Sequence, residues 1–164
     1  MNLNILKINF CAKPKNYAVI DNYVSRSAQP QKEDFVWLKE QGVTDVFNFR
    51  TMYKKAIDFD EEAEVKKLGM MYHPLPSKTA HPTEENIDKF LKEIDIIKKN
   101  NGKAHIHCKA GADRTGMYSF IYEMINGLGT LTENRAEWLK HGLHTDKYPK
   151  LMEWTEKFIK TKLR

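Results

Sequence analysis

Cysteine is nearly absent from this chain: among 164 residues only Cys11 and Cys108 occur. Two cysteines exclude the disulfide framework on which small secreted proteins rely, and no Cys/His spacing matches a structural zinc site. A reduced, cytoplasmic setting is the expectation, and an export signal removed ahead of Met1 is compatible with it. Long apolar runs are also missing. The first ten residues alternate apolar with polar side chains, which reads as a strand over Leu3 to Phe10 rather than as a signal peptide or membrane span. Gly/Ser/Pro-rich linkers, repeats and low-complexity tracts are absent too, so a single domain over residues 1–164 is expected, long enough to bury its own core. Charge of one sign is not in large excess. With 27 Lys plus Arg against 22 Asp plus Glu, the net charge of +5 favours an anionic ligand, and no nucleic-acid partner is expected.

What is present is an alternation of short strands and helices. Besides Leu3 to Phe10, candidate strands are Tyr17 to Ile20, Val43 to Phe49, Met70 to Leu75 and Ala104 to His107, each bounded by Gly, Pro or Asn. Helices are expected over Lys32 to Gln41, ending at Gly42, and over Asp58 to Leu68, ending at Gly69. Thr83 caps a longer helix whose Ile87, Phe90, Leu91, Ile94 and Ile97 share one face, and Asn101-Gly102 ends it. Met117, Phe120, Ile121, Met124 and Ile125 repeat the spacing over Thr115 to Asn126. Further helices follow near Glu133 to Lys140 and Pro149 to Leu163, the latter with Leu151, Trp154 and Phe158 inward. The Met and aromatic stripes are core. This order implies an α/β domain with a mostly parallel sheet of four to five strands flanked by helices.

Chemistry concentrates in residues 107–116, His-Cys-Lys-Ala-Gly-Ala-Asp-Arg-Thr-Gly. An apolar strand ending at His107 would deliver Cys108 to the floor of a loop, and the helix beginning near Thr115 would point its positive dipole end back at the loop. Gly111 and Gly116 permit bends and close approach. The successive N–H groups of Lys109, Ala110, Gly111, Ala112, Asp113 and Arg114 can then converge on one anion, and the Arg114 guanidinium can grip two phosphate oxygens. The same positive field favours the Cys108 thiolate, an in-line nucleophile that needs no metal and no other cofactor. The expected partner is therefore a phosphorylated substrate. An exposed thiolate of this kind would also react with peroxide. Duller readings stand beside these: Cys108 as a small buried hydrophobe, Arg114 as an ion-pair partner, His107 as a satisfied strand-end histidine, and Thr115 as a helix cap.

The run His-Cys-x5-Arg-Thr-Gly resembles the signature of the protein tyrosine phosphatase superfamily. Arg26-Ser27-Ala28-Gln29-Pro30, a helix, and then Val46-Phe47-Asn48-Phe49-Arg50 are similar to the opening of small bacterial dual-specificity-like phosphatases. The resemblance implies a dual-specificity-phosphatase-like catalytic domain, a phosphomonoester hydrolase acting through a phosphocysteine on Cys108. It further implies a supporting role for His107, and for Thr115 help to the departing sulfur.

One part of the family pattern is missing. An aspartate general acid usually lies about thirty residues before the cysteine, yet Pro76 to Glu84 contains none. Asp113, His81 and Glu84 are the substitutes; Asp113 sits directly before the loop arginine, where it serves either as the acid or as an orienting group for Arg114 or a nearby backbone group. Lys109 begins a Cys-Lys-Ala-Gly run similar to lipid-phosphatase loops, and Lys54, Lys55, Lys78 and Arg50 could add charge, so an inositol-phosphate phosphatase is an alternative. Asp113 counts against it by repelling a multiply phosphorylated ligand. A phosphate-binding module without turnover is a third reading, which an intact Cys108 and Arg114 disfavour. A rhodanese, which typically uses a shorter loop, and an arsenate reductase, which needs resolving cysteines, are disfavoured as well.

Overall fold

The computed structural model describes residues 12–51 and 57–163. The strand expected over Leu3 to Phe10, Cys11, and Lys54 and Lys55 lie outside the described residues. In chain order the elements are β1 (Ala18–Val19), β2 (Val24–Ser27), α1 (Asp34–Glu40), β3 (Asp45–Asn48), α2 (Glu61–Lys67), β4 (Met71–Pro74), α3 (Glu84–Lys99), β5 (Ala104–His107), α4 (Asp113–Ile125), α5 (Leu131–Lys140) and α6 (Leu151–Lys162). The sheet runs β1-β2-β5-β3-β4; β2, β5, β3 and β4 are parallel, and β1 pairs antiparallel at the edge. This is the expected α/β architecture, with β5 at the centre.

Strand alternation sorts the side chains between two layers. Val24, Phe47, Phe49, Ala104 and Ile106 turn to one face and pack with Ile87, Phe90 and Ile94 of α3, with α4, and with Trp138, Leu151 and Phe158 of α5 and α6. Val46 turns to the other face and meets Phe35 and Leu38 of α1 and Val65 of α2. The stripe on α3 therefore buries as its spacing predicts, and Thr83 caps the helix by accepting from the Asn86 N–H. Phe49 stacks on Tyr118 with centroids 3.9 Å apart while Phe90 meets both edge-on. Such aromatic pairs add about 0.5–1.5 kcal/mol each beyond burial. Their position matters here, because Phe49 and Tyr118 flank the strand that carries Cys108.

Two elements differ from expectation. β2 is not among the strands expected from periodicity; it is a fully buried inner strand whose polar side chains have specific partners. Ser25 and Ser27 hydrogen-bond the two ring nitrogens of His105 at 2.9 and 2.7 Å. Burial, then neighbouring His107, hold His105 well below the ordinary histidine range, so this imidazole stays neutral. Helix α4 begins at Asp113 rather than near Thr115, so Thr115 lies inside the first turn and is not the cap. Among the described residues no helix is long and apolar enough to cross a membrane.

Candidate active site

β5 ends at His107 and the chain turns through Cys108 to Ala112 into α4, outside the carboxyl end of the central strand, where ligands of parallel sheets bind. Four consecutive carbonyls of this loop are held from outside. Lys109 O accepts from the Gln29 N–H at 3.1 Å, and Ala110 O from Asn16 Nδ2 at 3.0 Å. Gly111 O accepts from Arg26 Nη2 at 2.7 Å, and Ala112 O from Trp138 Nε1 at 3.0 Å. In a trans peptide the C=O and the following N–H point in opposite directions. Carbonyls fixed outward therefore turn the N–H groups of Ala110, Gly111, Ala112 and Asp113 toward the concave side.

The glycines are explained by contact. Gly111 adopts φ +68°, and a Cβ there would stand 2.6 Å from the Ala28 nitrogen and the Ser27 carbonyl carbon, so the loop lies directly on the end of β2. Gly116, on α4, faces the Trp138 indole; a Cβ would lie 2.1 Å from Nε1. The indole can thus reach Ala112 O only because residue 116 has no side chain.

Cys108 is 2% exposed. The expectation of an exposed thiolate is corrected: the side chain packs on the core face with Ile106, at the start of the loop. Arg114 is half-buried, and its Nη1 donates to the Phe49 carbonyl at 3.1 Å, which ties the guanidinium to the end of β3. The rest of its donor fork has no hydrogen-bond partner among the described residues. Thr115 is fully buried, and its Oγ1 also has no partner among them.

His107 faces the opposite side of the sheet. Its Nε2 lies 2.7 Å from Glu61 Oε1, and its Nδ1 is 3.4 Å from the Cys108 carbonyl oxygen. Glu61, from α2, is buried and also accepts from Gln29 Nε2 at 2.7 Å and from Asn48 Nδ2. Burial works to raise Glu61, but the charge and hydrogen bond of His107, then Gln29 and Arg50, outweigh it and hold the carboxyl below the usual glutamate range. Arg50 donates to Gln29 Oε1 at 2.7 Å rather than forming a surface ion pair.

Asp113 is held by the α5–α6 connection. Its Oδ1 accepts the His144 backbone N–H at 2.9 Å, and the His144 Nδ1 lies 3.1 and 3.0 Å from the two carboxylate oxygens. The orienting function considered for Asp113 is thus present, directed at His144 and not at Arg114. Glu84 sits in the first turn of α3, and His81, Lys78, Lys109 and Ala110 are exposed. Sequence reasoning missed Asn16, Glu61, Trp138 and His144, and it noticed Arg26 only as part of a run.

Beside the loop, Gln29, Asn48, Arg50, Thr51, Tyr72 and the stretch Ile57 to Glu62 line a cavity of about 570 Å³. Asp58, Asp60 and Glu62 give its wall a negative rim.

A family model described as "Polymorphic toxin system, DSP-PTPase phosphatase" matches residues 22–127, from the start of β2 past the end of α4. No curated protein matches the sequence. Among solved structures, a DUF442 protein from Shewanella putrefaciens is 21% identical over 92% of each chain, with a TM-score of 0.73. The catalytic domain of the PP-IP phosphatase SIW14 from S. cerevisiae, in complex with citrate, is 19% identical over 91% of this chain and 86% of its own, at 0.71. A cysteine-to-serine variant of P. aeruginosa TpbA in complex with pTyr is 18% identical over 85% of this chain and 82% of its own, at 0.70. Identities this low show a shared fold.

Proposed function

The chain belongs to the DSP-PTPase phosphatase family, and from that premise we propose that it hydrolyses phosphomonoesters through a phosphocysteine on Cys108. The observation that carries the reading is the set of outward-held carbonyls at Lys109, Ala110, Gly111 and Ala112, in the loop that begins at the buried Cys108. A loop built only to pack a buried cysteine has no need of four dedicated anchors. Phosphate oxygens take the loop's N–H groups and the uncommitted part of the Arg114 fork, and this preorganised positive shell stabilises charge on the equatorial oxygens of the transition state. The Cys108 sulfur attacks phosphorus as the ester P–O bond breaks, and the electron pair leaves with the substrate oxygen. Water then attacks phosphorus, the P–S bond breaks and the sulfur recovers its electron pair. Thr115 Oγ1, buried and without a partner among the described residues, supplies the hydrogen bond that steadies the returning thiolate.

The Asp113–His144 pair carries the proton to the leaving oxygen. With Nδ1–H donating to Asp113, the other ring nitrogen of the half-exposed His144 is turned away from the carboxylate, and in the imidazolium form it can donate to the leaving oxygen. His107, held by Glu61, supports the Cys108 backbone from the opposite face.

For substrate, the reading is a phosphorylated tyrosine, serine or threonine, or a small aryl phosphate. The carboxylates of Asp58, Asp60 and Glu62, in the cavity that shares Gln29 with the loop's anchors, favour a ligand with one phosphate over an inositol carrying several. The test pairs variants with substrates. Cys108→Ser abolishes turnover and keeps phosphate binding, Arg114→Ala weakens both, and the wild type releases phosphate from a phosphotyrosine peptide faster than from inositol hexakisphosphate. Turnover by Cys108→Ser at the wild-type rate refutes the mechanism; release from the inositol compound alone refutes the substrate class.

A further inference from the structure

We propose that Arg26 is a positioning residue of the phosphate loop: its buried guanidinium fixes the Gly111 peptide so that the Ala112 N–H enters the cradle, and sets a permanent positive charge beneath Cys108. The inference rests on the loop binding an oxyanion, as the proposed function requires.

Arg26 is 1% exposed, among the largest fully buried side chains. A buried guanidinium is costly unless something needs its charge or its donors, and an aliphatic residue would fill the same space at lower cost. Register shows what it serves. In the parallel pairing of β2 with β5, Arg26 stands beside Ile106, so its side chain shares the sheet face of Ile106 and Cys108. From there Nη2 donates to Gly111 O at 2.7 Å. That carbonyl belongs to the residue at φ +68°, where the loop presses on Ser27 and Ala28, so strand and side chain together form the template on which the turn is bent.

The other groups facing Arg26 leave part of its charge uncompensated. Glu137 of α5 is 4.0 Å from Nη1, too far for a hydrogen bond, and Nε has no partner among the described residues. Glu123 of α4, Cys108 and His141 also face it. Burial, then contact with Glu137, raise Glu123 to about 9, so at neutral pH Glu123 is protonated and Glu137 alone opposes the cation. A cation so placed favours an anion held by the loop.

The experiment measures tungstate affinity by calorimetry in the full chain with Arg26→Met or Arg26→Lys. Thermal unfolding is recorded in parallel. Losing a charge-assisted hydrogen bond predicts roughly tenfold or more weaker tungstate binding in Arg26→Met. Arg26→Lys, which keeps the charge and one donor, falls between the two. A folded Arg26→Met with wild-type tungstate affinity overturns the proposal. If Arg26→Met does not fold, wild-type values in Arg26→Lys overturn it, since one ammonium cannot reproduce the guanidinium's reach. Tungstate reads the cradle whether or not Cys108 forms a phosphoenzyme, so failure here is distinguishable from failure of the catalytic reading.

Discussion

Asp113 occupies the position where the loop becomes helix, and its partners decide what its carboxylate can do. The His144 backbone N–H is directed at one oxygen and the His144 ring at both, so the carboxylate is fixed to the connection after α5. Proton delivery matters only when the leaving oxygen is a poor leaving group. Asp113→Asn should therefore cut turnover of an alkyl phosphate by roughly 10²-fold or more while changing an activated aryl phosphate much less. Equal loss on both substrates would contradict the role. Glu61 shows why such residues escape a sequence reading. It stands in the first turn of a helix full of solvated acids, and only the fold brings it to His107, 46 positions away, where it is buried. Cys108 and Arg114 stand out in the sequence because they lie six positions apart in one turn; Arg26, Trp138 and His144 act from other elements and leave no local signal.

At the scale of elements, α4 and α5 act on the loop as one unit. Gly116 admits the Trp138 indole, which holds Ala112 O, so the Thr-Gly at the end of the motif is a packing requirement of the loop's far side. Alanine is the better helix former by about 1 kcal/mol, yet Gly116→Ala should destabilise the chain by about 1–3 kcal/mol and weaken tungstate binding, because the overpacked indole must retreat. Thermal unfolding and calorimetry check this; a variant more stable than wild type, with unchanged affinity, would show that the indole is not held there. The same elements explain what the sequence showed of the fold and what it hid. The stripe of α3 follows from periodicity because its burial is apolar, and Val46, Phe47 and Ile106 mark β3 and β5 in the same way. β2 does not, because its buried Ser25, Arg26 and Ser27 are satisfied by His105 and Gly111, partners that a pattern of hydrophobicity cannot see.

Over the whole molecule, the sheet sets β5 between β2 and β3, whose ends supply the two walls of the site: Arg26 to Gln29 on one side, Phe49 and Arg50 on the other. Global stability is coupled to this interior through Glu123. Its folded pKa, about 9, lies above the ordinary 4.5, so the folded state retains a proton that the unfolded chain releases. That contribution is fully present below about pH 4.5 and is lost as pH rises through about 9. Glu123→Gln removes the titration, and its stability should gain on wild type steadily between those limits, measured by denaturant unfolding; parallel pH profiles would contradict the buried proton. The account as a whole turns on whether the sulfur itself receives the phosphoryl group. Rapid acid quench of the enzyme turning over an activated aryl phosphate, followed by mass analysis of its peptides, should find the mass of one phosphoryl group on the Cys108 peptide and none in Cys108→Ser. Release of inorganic phosphate at full rate by Cys108→Ser, with no adduct on any peptide of the wild type, would contradict it.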